Sequence, residues 1–499
     1  MRDTMANIYK KRLSDWRNGD IVYQVLVDRF NPSKRLEEKM ALYQYPKKLN
    51  DWQTLPKPGK FLNDVKYWSH ELDYWGGDLT SLMEKLDYIK DLGVEVLYLN
   101  PIVESVSNHK YDATDYQKIS SEYGTKADLQ HLIDKTHQSD MKIMLDGVFN
   151  HVGVNNPLFI AAKDETSPYR DWFDFCDTYP EGVRLWAEAK SLPELNLENN
   201  AVKDYIYRDK TSVIRSYLND GVDGWRLDVA FDLGFEILKD LRDHARLSKP
   251  DVNIIGEIWN YPEIWLKSID GVMNFTFREI TLRLLNGKVT PSQAGLMLDD
   301  TIKDAGIEGI LKSWNILDNH DVARLKHLLP KVAQQRLAQV MQFTLPGSPN
   351  LYYGTELGMD GGNDPENRAP MRWDLNTPKN DTLKWVKTLI DLHHQEKALK
   401  VGDFKLIRSE HFLSYSRYTD DVADTCIIVI NPTNQEQTES LLLKDSKLMN
   451  FSGFNIILGE QIPLTLLAGL IEVTLKPYSF MLFKPDTTVS KSYTPYKRV

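Results

Sequence analysis

Residues 222–230 read VDGWRLDVA. The apolar residues mark a short buried strand, yet Arg226 and Asp228 stand two apart and so share one face of the pleat. Charges at the end of a buried strand are costly unless they are paired or put to use. Taken alone, this pair fits a structural ion pair as well as a reactive site.

The surrounding sequence decides between them. Seven further β-branched runs each precede a helix-like amphipathic segment: IVYQVLVDRF (21–30), VEVLYLN (94–100), KIMLDGVFNH (142–151), VNIIGEIW (252–259), GVMNF (271–275), SWNILDNHD (313–321) and PNLYYGTEL (349–357). Near-continuous apolar strands separated by helices predict a parallel sheet covered on both faces. Eight such units predict an α/β fold, a (β/α)8 TIM barrel, whose chemistry lies at the carboxyl ends of its strands. Those ends carry Asp146 and His151 on the third strand, Arg226 and Asp228 on the fourth, Glu257 on the fifth, and His320 and Asp321 on the seventh. A barrel brings them round one mouth, which favours a site.

Two intervals, 31–77 and 152–200, are too long for simple connections and are expected to rise from the same mouth. After about residue 400, FLSYSRY, TCIIVIN and LIEVTL alternate without helices and predict a small antiparallel β domain. The expected organisation is a barrel over 1–151 and 201–399, an inserted subdomain at 152–200, a β domain at 400–485, and a loose polar tail at 486–499.

Composition narrows the function. A net charge of -10 over 499 residues, with 42% hydrophobic content, argues against a nucleic-acid partner and favours a small neutral or cationic ligand. The two cysteines, Cys176 and Cys426, suggest neither a disulfide framework nor a zinc site. The N-terminal segment lacks the apolar core of a secretory signal, and no later run is long enough to span a bilayer, so a cytoplasmic protein without membrane contact is expected. Oligomeric state is not legible.

Carboxylates and histidines at strand ends suit either a metal site or acid/base work. No HExxH segment occurs and the first strand carries no His-x-His pair, so carboxylate chemistry leads. A retaining glycosidase needs a nucleophilic carboxylate and an acid/base carboxyl about 5 Å apart. Asp228, Glu257 and Asp321 supply the parts. Arg226 is expected to keep Asp228 ionised by lowering its pKa, while the apolar neighbours Ile255, Ile258 and Trp259 disfavour the charged form of Glu257 and let it keep a proton.

At this point DGVFNH (146–151), GWRLD (224–228), GEIW (256–259) and NHD (319–321) resemble, in order, the four signature segments of the α-amylase superfamily of glycoside hydrolases. The resemblance runs from about residue 20 to 375, and the terminal β domain agrees with it. It implies Asp228 as nucleophile, Glu257 as acid/base, and Asp321 as the carboxylate that grips the sugar hydroxyls. It implies His151 and His320 on the hydroxyls of the same sugar, with Arg226 fixing the nucleophile. YWGGDL (74–79), NHKYDATDY (108–116), LPELN (192–196) and GGNDPENR (361–368) are most similar to the neopullulanase, cyclomaltodextrinase and maltogenic amylase group. That likeness implies Tyr111 under the sugar being cleaved, His109 beside it, Asp364 and Arg368 on the next sugar, and Trp259 on the acceptor side. Val229 is placed equally well there or in the core. Trp172 and Trp186 are expected to pack the insertion rather than to touch sugar.

The chain departs from the group in three ways. Its first barrel strand is expected to begin near residue 21, so no counterpart of the group's N-terminal β domain is expected in this sequence, which leaves cyclodextrin preference and dimerisation open. DVAFD (228–232) lacks the Lys-His pair that follows the nucleophile in many secreted α-amylases. NPSKRLEEK (31–39) lacks the spaced Asn and Asp oxygens of a calcium site, although Gly76 and Asp78 match its other half. No cofactor is expected to be required, calcium being the open alternative.

The expected activity is retaining hydrolysis of α-glucosidic bonds, mainly α-1,4, in maltooligosaccharides and related α-glucans. An oligo-1,6-glucosidase or other exo-acting α-glucosidase is the enzymatic alternative. A non-catalytic sugar-binding or assembly subunit of the same fold is the alternative of another class.

Overall fold

The computed structural model describes residues 2–489 and Tyr496. Eight parallel strands close into a barrel: β1 (Val22–Val25), β2 (Val96–Leu99), β3 (Lys142–Gly147), β4 (Gly224–Leu227), β5 (Asn253–Ile258), β6 (Gly271–Asn274), β7 (Trp314–Ile316) and β8 (Ser348–Tyr352). Neighbours in space follow chain order, and β8 pairs back onto β1. Each of the eight expected runs coincides with one strand, β8 starting one residue ahead of its run at Ser348.

Alternation sorts the side chains between two cores. Val22, Tyr98, Met144, Ile255, Met273 and Trp314 fill the barrel interior. Their sequence neighbours Tyr23, Leu97, Leu145, Trp225 and Ile254 pack outward against the helical ring. Register sets Gly224 opposite Met144 and Arg226 opposite Asp146, so the interior face of β4 turns from glycine to charge within one pleat. A Cβ at position 224 would come within 2.4 Å of the Asn253 carbonyl oxygen and 2.9 Å of the Met144 terminal methyl. Only glycine fits beneath Arg226, and the packed floor leaves the charges nowhere to face but the open end.

The two long excursions both reach that end. Between β1 and β2, Phe61–Leu62 pairs antiparallel with Tyr67–Trp68. After β3, the insertion is built round Phe159, Trp172, Phe173 and Leu195 and is tied back by the bridge His151–Glu194.

Ahead of β1, residues 2–14 form a helix for which the sequence carried no expectation. Its Arg12 is buried and donates to Glu308 at 2.6 Å, to Asp403 at 2.9 Å and to the Val401 carbonyl at 3.0 Å. One guanidinium thus joins the first helix, a barrel helix and the start of the C-terminal domain.

That domain holds β9 (Asp403–Ile407), β10 (Leu413–Tyr418), β11 (Cys426–Asn431), β12 (Gln437–Leu442), β13 (Phe454–Gly459), β14 (Leu470–Leu475) and β15 (Ser479–Pro485). Five strands in the order β9-β10-β11-β15-β13 form one antiparallel sheet, and β12 pairs with β14. Val429, Leu441, Val473 and Phe483 share its separate core. Tyr496, in the segment expected to be loose, is buried there and donates to Ser452 Oγ at 2.9 Å. The rest of that tail beyond residue 489 lies outside the described residues. Among the described residues no helix is long and apolar enough to cross a membrane.

Candidate active site

Arg226 is the centre of the site because the pleat aims it inward, one step below the barrel mouth. Its Nη1 donates to both oxygens of Asp146, at 2.8 and 3.1 Å, and to Asp228 Oδ1 at 2.9 Å. Its Nη2 lies 3.0 Å from Glu257 Oε2. One planar cation therefore holds three carboxylates from three adjacent strands. It is fully buried.

Asp228 directly follows β4 and precedes Val229, whose φ of 40° places a β-branched residue in the left-handed region. That turn aims the Val229 N–H at Glu257 Oε2, 2.8 Å away. The indole N–H of Trp259 donates to Glu257 Oε1 at 2.9 Å. The sequence suggested an apolar jacket for Glu257. Instead Ile255 belongs to the barrel interior and Ile258 to the outer core, and the carboxyl group is met by N–H donors.

Charge is divided differently from expectation as well. Burial pushes Asp228 well above the ordinary carboxylate range, and Glu257, Asp146 and Asp321 add to the shift against the pull of Arg226. The sequence pointed the other way. The reason is stoichiometric: a single guanidinium cannot neutralise three buried carboxylates, so each receives a share of it. Asp146 and Asp321 are raised too, again first by burial.

A hydrogen-bond chain fixes the opposite wall. Gln24, on the inward face of β1, donates to Asn100 Oδ1 at 3.1 Å and to His320 Nδ1 at 2.9 Å. Burial holds His320 well below the ordinary imidazole range, so it is neutral and its one proton sits on Nε2. Nε2 faces Tyr111 Oη at 2.5 Å and Asp321 Oδ2 at 3.2 Å. Tyr111 donates onward to Asp146 Oδ2 at 2.8 Å, and its ring lies parallel to that of His320. His109 stacks against the far side of this group, 5.8 Å from Tyr111, with its Nε2 3.6 Å from Glu71. Arg368 Nε bonds the His320 carbonyl at 2.8 Å and lies 3.2 Å from Asp364; its Nη2 is 3.6 Å from Asp321.

These groups open onto one cleft of about 510 Å³. Of the residues singled out in the sequence, Asp228, Glu257, Asp321, Tyr111, His109, His151, Asp364, Arg368 and Trp259 line it, while Arg226 and His320 stand behind it as supports. Burial lowers His151 to about 3, and its Nε2 has no partner among the described residues, so a neutral imidazole can meet a hydroxyl.

Sequence reasoning missed several members. Gln24, Asn100 and Tyr98 carry the chain of bonds behind Tyr111, and the signal was an amide inside the apolar run VYQVLV. Trp186 was expected to pack. It lines the cleft instead, stacked 5.2 Å from His151 with its N–H on Asp232. Trp172 is buried in the insertion. Phe61, Trp68 and Glu71 come from the middle of the first excursion, a stretch in which no motif was singled out.

The half-site for calcium does not fit a cation. The ammonium of Lys39 bonds Asp78 directly and the Glu122 carbonyl at 3.1 Å, and the other Asp78 oxygen accepts from the Ser81 N–H at 2.7 Å. The Gly76 carbonyl is taken by the Ser33 N–H. A fixed positive charge already occupies the place a divalent ion would need. Activity and unfolding are therefore expected to be unchanged by a chelator or by added calcium; loss in the chelator that calcium restores would refute this.

The family model described as Alpha amylase, catalytic domain, matches residues 24–420. Neopullulanase 2 of Thermoactinomyces vulgaris is 30% identical over 485 residues, covering 94% of this chain and 78% of that one. An intracellular maltogenic amylase of Bacillus subtilis is 33% identical over 421 residues, covering 82% and 68%. Among solved structures, the debranching enzyme of Nostoc punctiforme superposes with a TM-score of 0.80 at 26% identity, over 94% of this chain and 99% of that one.

Proposed function

The chain belongs to the alpha-amylase family of glycoside hydrolases, and from that premise we propose that it hydrolyses α-glucosidic bonds, mainly α-1,4, in maltooligosaccharides, with cyclodextrins and pullulan as further substrates. The relatives' names support this substrate class. The observation that carries the mechanism is the shared guanidinium, which places Asp228 and Glu257 side by side on one cleft.

In the first step an oxygen of Asp228 attacks the anomeric carbon. The glycosidic C–O bond breaks with its electron pair going to the leaving oxygen, which takes the proton of Glu257. A β-glucosyl ester on Asp228 results. In the second step Glu257, now a carboxylate, removes a proton from water as that water attacks the same carbon and Asp228 departs. Two inversions return the α configuration. Asp321 and the Nε2 of His151 bind hydroxyls of the reacting ring, and Tyr111 supports its face. The Val229 N–H and the indole of Trp259 hold Glu257 in position.

The test is the anomer released first. Proton NMR of maltoheptaose digestion is expected to show the α form before mutarotation, and a β product would rule out the double displacement. Digests of panose and β-cyclodextrin run alongside should place the enzyme between α-1,4 and α-1,6 preference.

A further inference from the structure

The excursion between β1 and β2 folds back over the barrel mouth. Its hairpin is anchored by Tyr67, buried, whose hydroxyl donates to Asp112 at 2.8 Å. The Trp68 N–H is fixed on Glu71 Oε2 at 2.7 Å. With the hairpin held at both points, Trp68 is still 47% exposed, edge-on to Phe61 at 5.7 Å, and forms part of the cleft wall. A large aromatic ring kept open in a cleft is an apolar surface awaiting a cover.

Its contacts locate it. Trp68 and Trp259, which is 46% exposed, line the same cleft as Asp228, Glu257 and Asp321. Trp68 is also set back from Tyr111: it bonds Glu71, which lies 3.6 Å from His109, which stacks on Tyr111. Lys66, at the turn of the hairpin, lies 3.9 Å from Glu181 of the insertion, and Glu181 also bonds Lys190 at 2.6 Å. The two excursions therefore meet along this side of the cleft.

We propose that Trp68 is a stacking platform for a glucose unit at least one residue removed from the bond that is cut, so that this hairpin sets the enzyme's preference for chain length. The C–H face of a pyranose matches the indole, while Lys66 and Glu71 beside it supply a donor and an acceptor for hydroxyls. The inference rests on reading the cleft as that of an α-glucan hydrolase.

The experiment is kcat/KM for the intact protein and for Trp68→Ala and Trp68→Tyr on the series from maltotriose to maltoheptaose, with thermal midpoints measured alongside. For Trp68→Ala the loss should grow with chain length, reaching about tenfold on the longest members, while Trp68→Tyr recovers most of it at an unchanged midpoint. A loss of equal size at every length, or none, would overturn the platform while leaving the hydrolase reading standing. An intact protein that cleaves no member of the series would overturn both.

Discussion

Asp228→Asn is expected to lower kcat/KM on maltooligosaccharides by about 10^4-fold or more and, in the same protein, to raise the thermal midpoint at pH 7 by a few degrees. The first effect follows from removing the atom that forms the covalent bond. The second follows from the crowding of buried carboxylates round Arg226. The folded protein binds a proton at Asp228 more tightly than the unfolded chain, whose value is near 3.8. Its contribution is therefore favourable below that value and is lost as pH rises through the elevated folded one. At pH 7 the native carboxylate is at its greatest disadvantage, and a neutral amide of the same shape escapes it. The gain should shrink toward pH 4. A variant that keeps more than one part in a hundred of the activity would remove Asp228 from the mechanism, and a lower midpoint at pH 7 would show that Arg226 outweighs the crowding.

Arg226→Met should have the largest effect on stability. Methionine roughly fills the volume beside Met273, whose sulfur lies 3.3 Å from Arg226 Nε, but it leaves Asp146, Asp228 and Glu257 without their common counterion. Losing one partner of a buried charge cluster costs about 3–5 kcal/mol, read as a fall in the urea midpoint at pH 7. The deficit should be smaller at pH 5, because protons can then neutralise the stranded carboxylates. Activity should fall with it. A midpoint within about 1 kcal/mol of the parent, the range of a surface pair, would mean that the carboxylates are accommodated without the guanidinium.

Much of this was legible before the fold was seen, for a physical reason. Inward charge on a strand is so costly that VDGWRLDVA and KIMLDGVFNH advertise a site, and eight such strands admit few topologies. The parts that escaped notice lack that signature. Gln24 carries no charge, and its importance depends on which residues the barrel closure brings beside it. Trp68 and Trp186 lie in excursions without periodicity, where exposure is decided by how a loop folds back. The direction of the Asp228 shift was misjudged because one pair was visible in sequence, whereas three carboxylates meet in space.

The chain of bonds from Gln24 through His320 and Tyr111 to Asp146 runs one way: reversing it would move the imidazole proton to Nδ1, where it would face the Gln24 amide N–H. His151, lowered to about 3, is likewise silent near neutrality. His151 and His320 thus act as permanent dipoles rather than proton stores. Neither His151 nor His320 therefore supplies an inflection in rate between about pH 5 and 8, the interval where imidazole ordinarily answers to acidity.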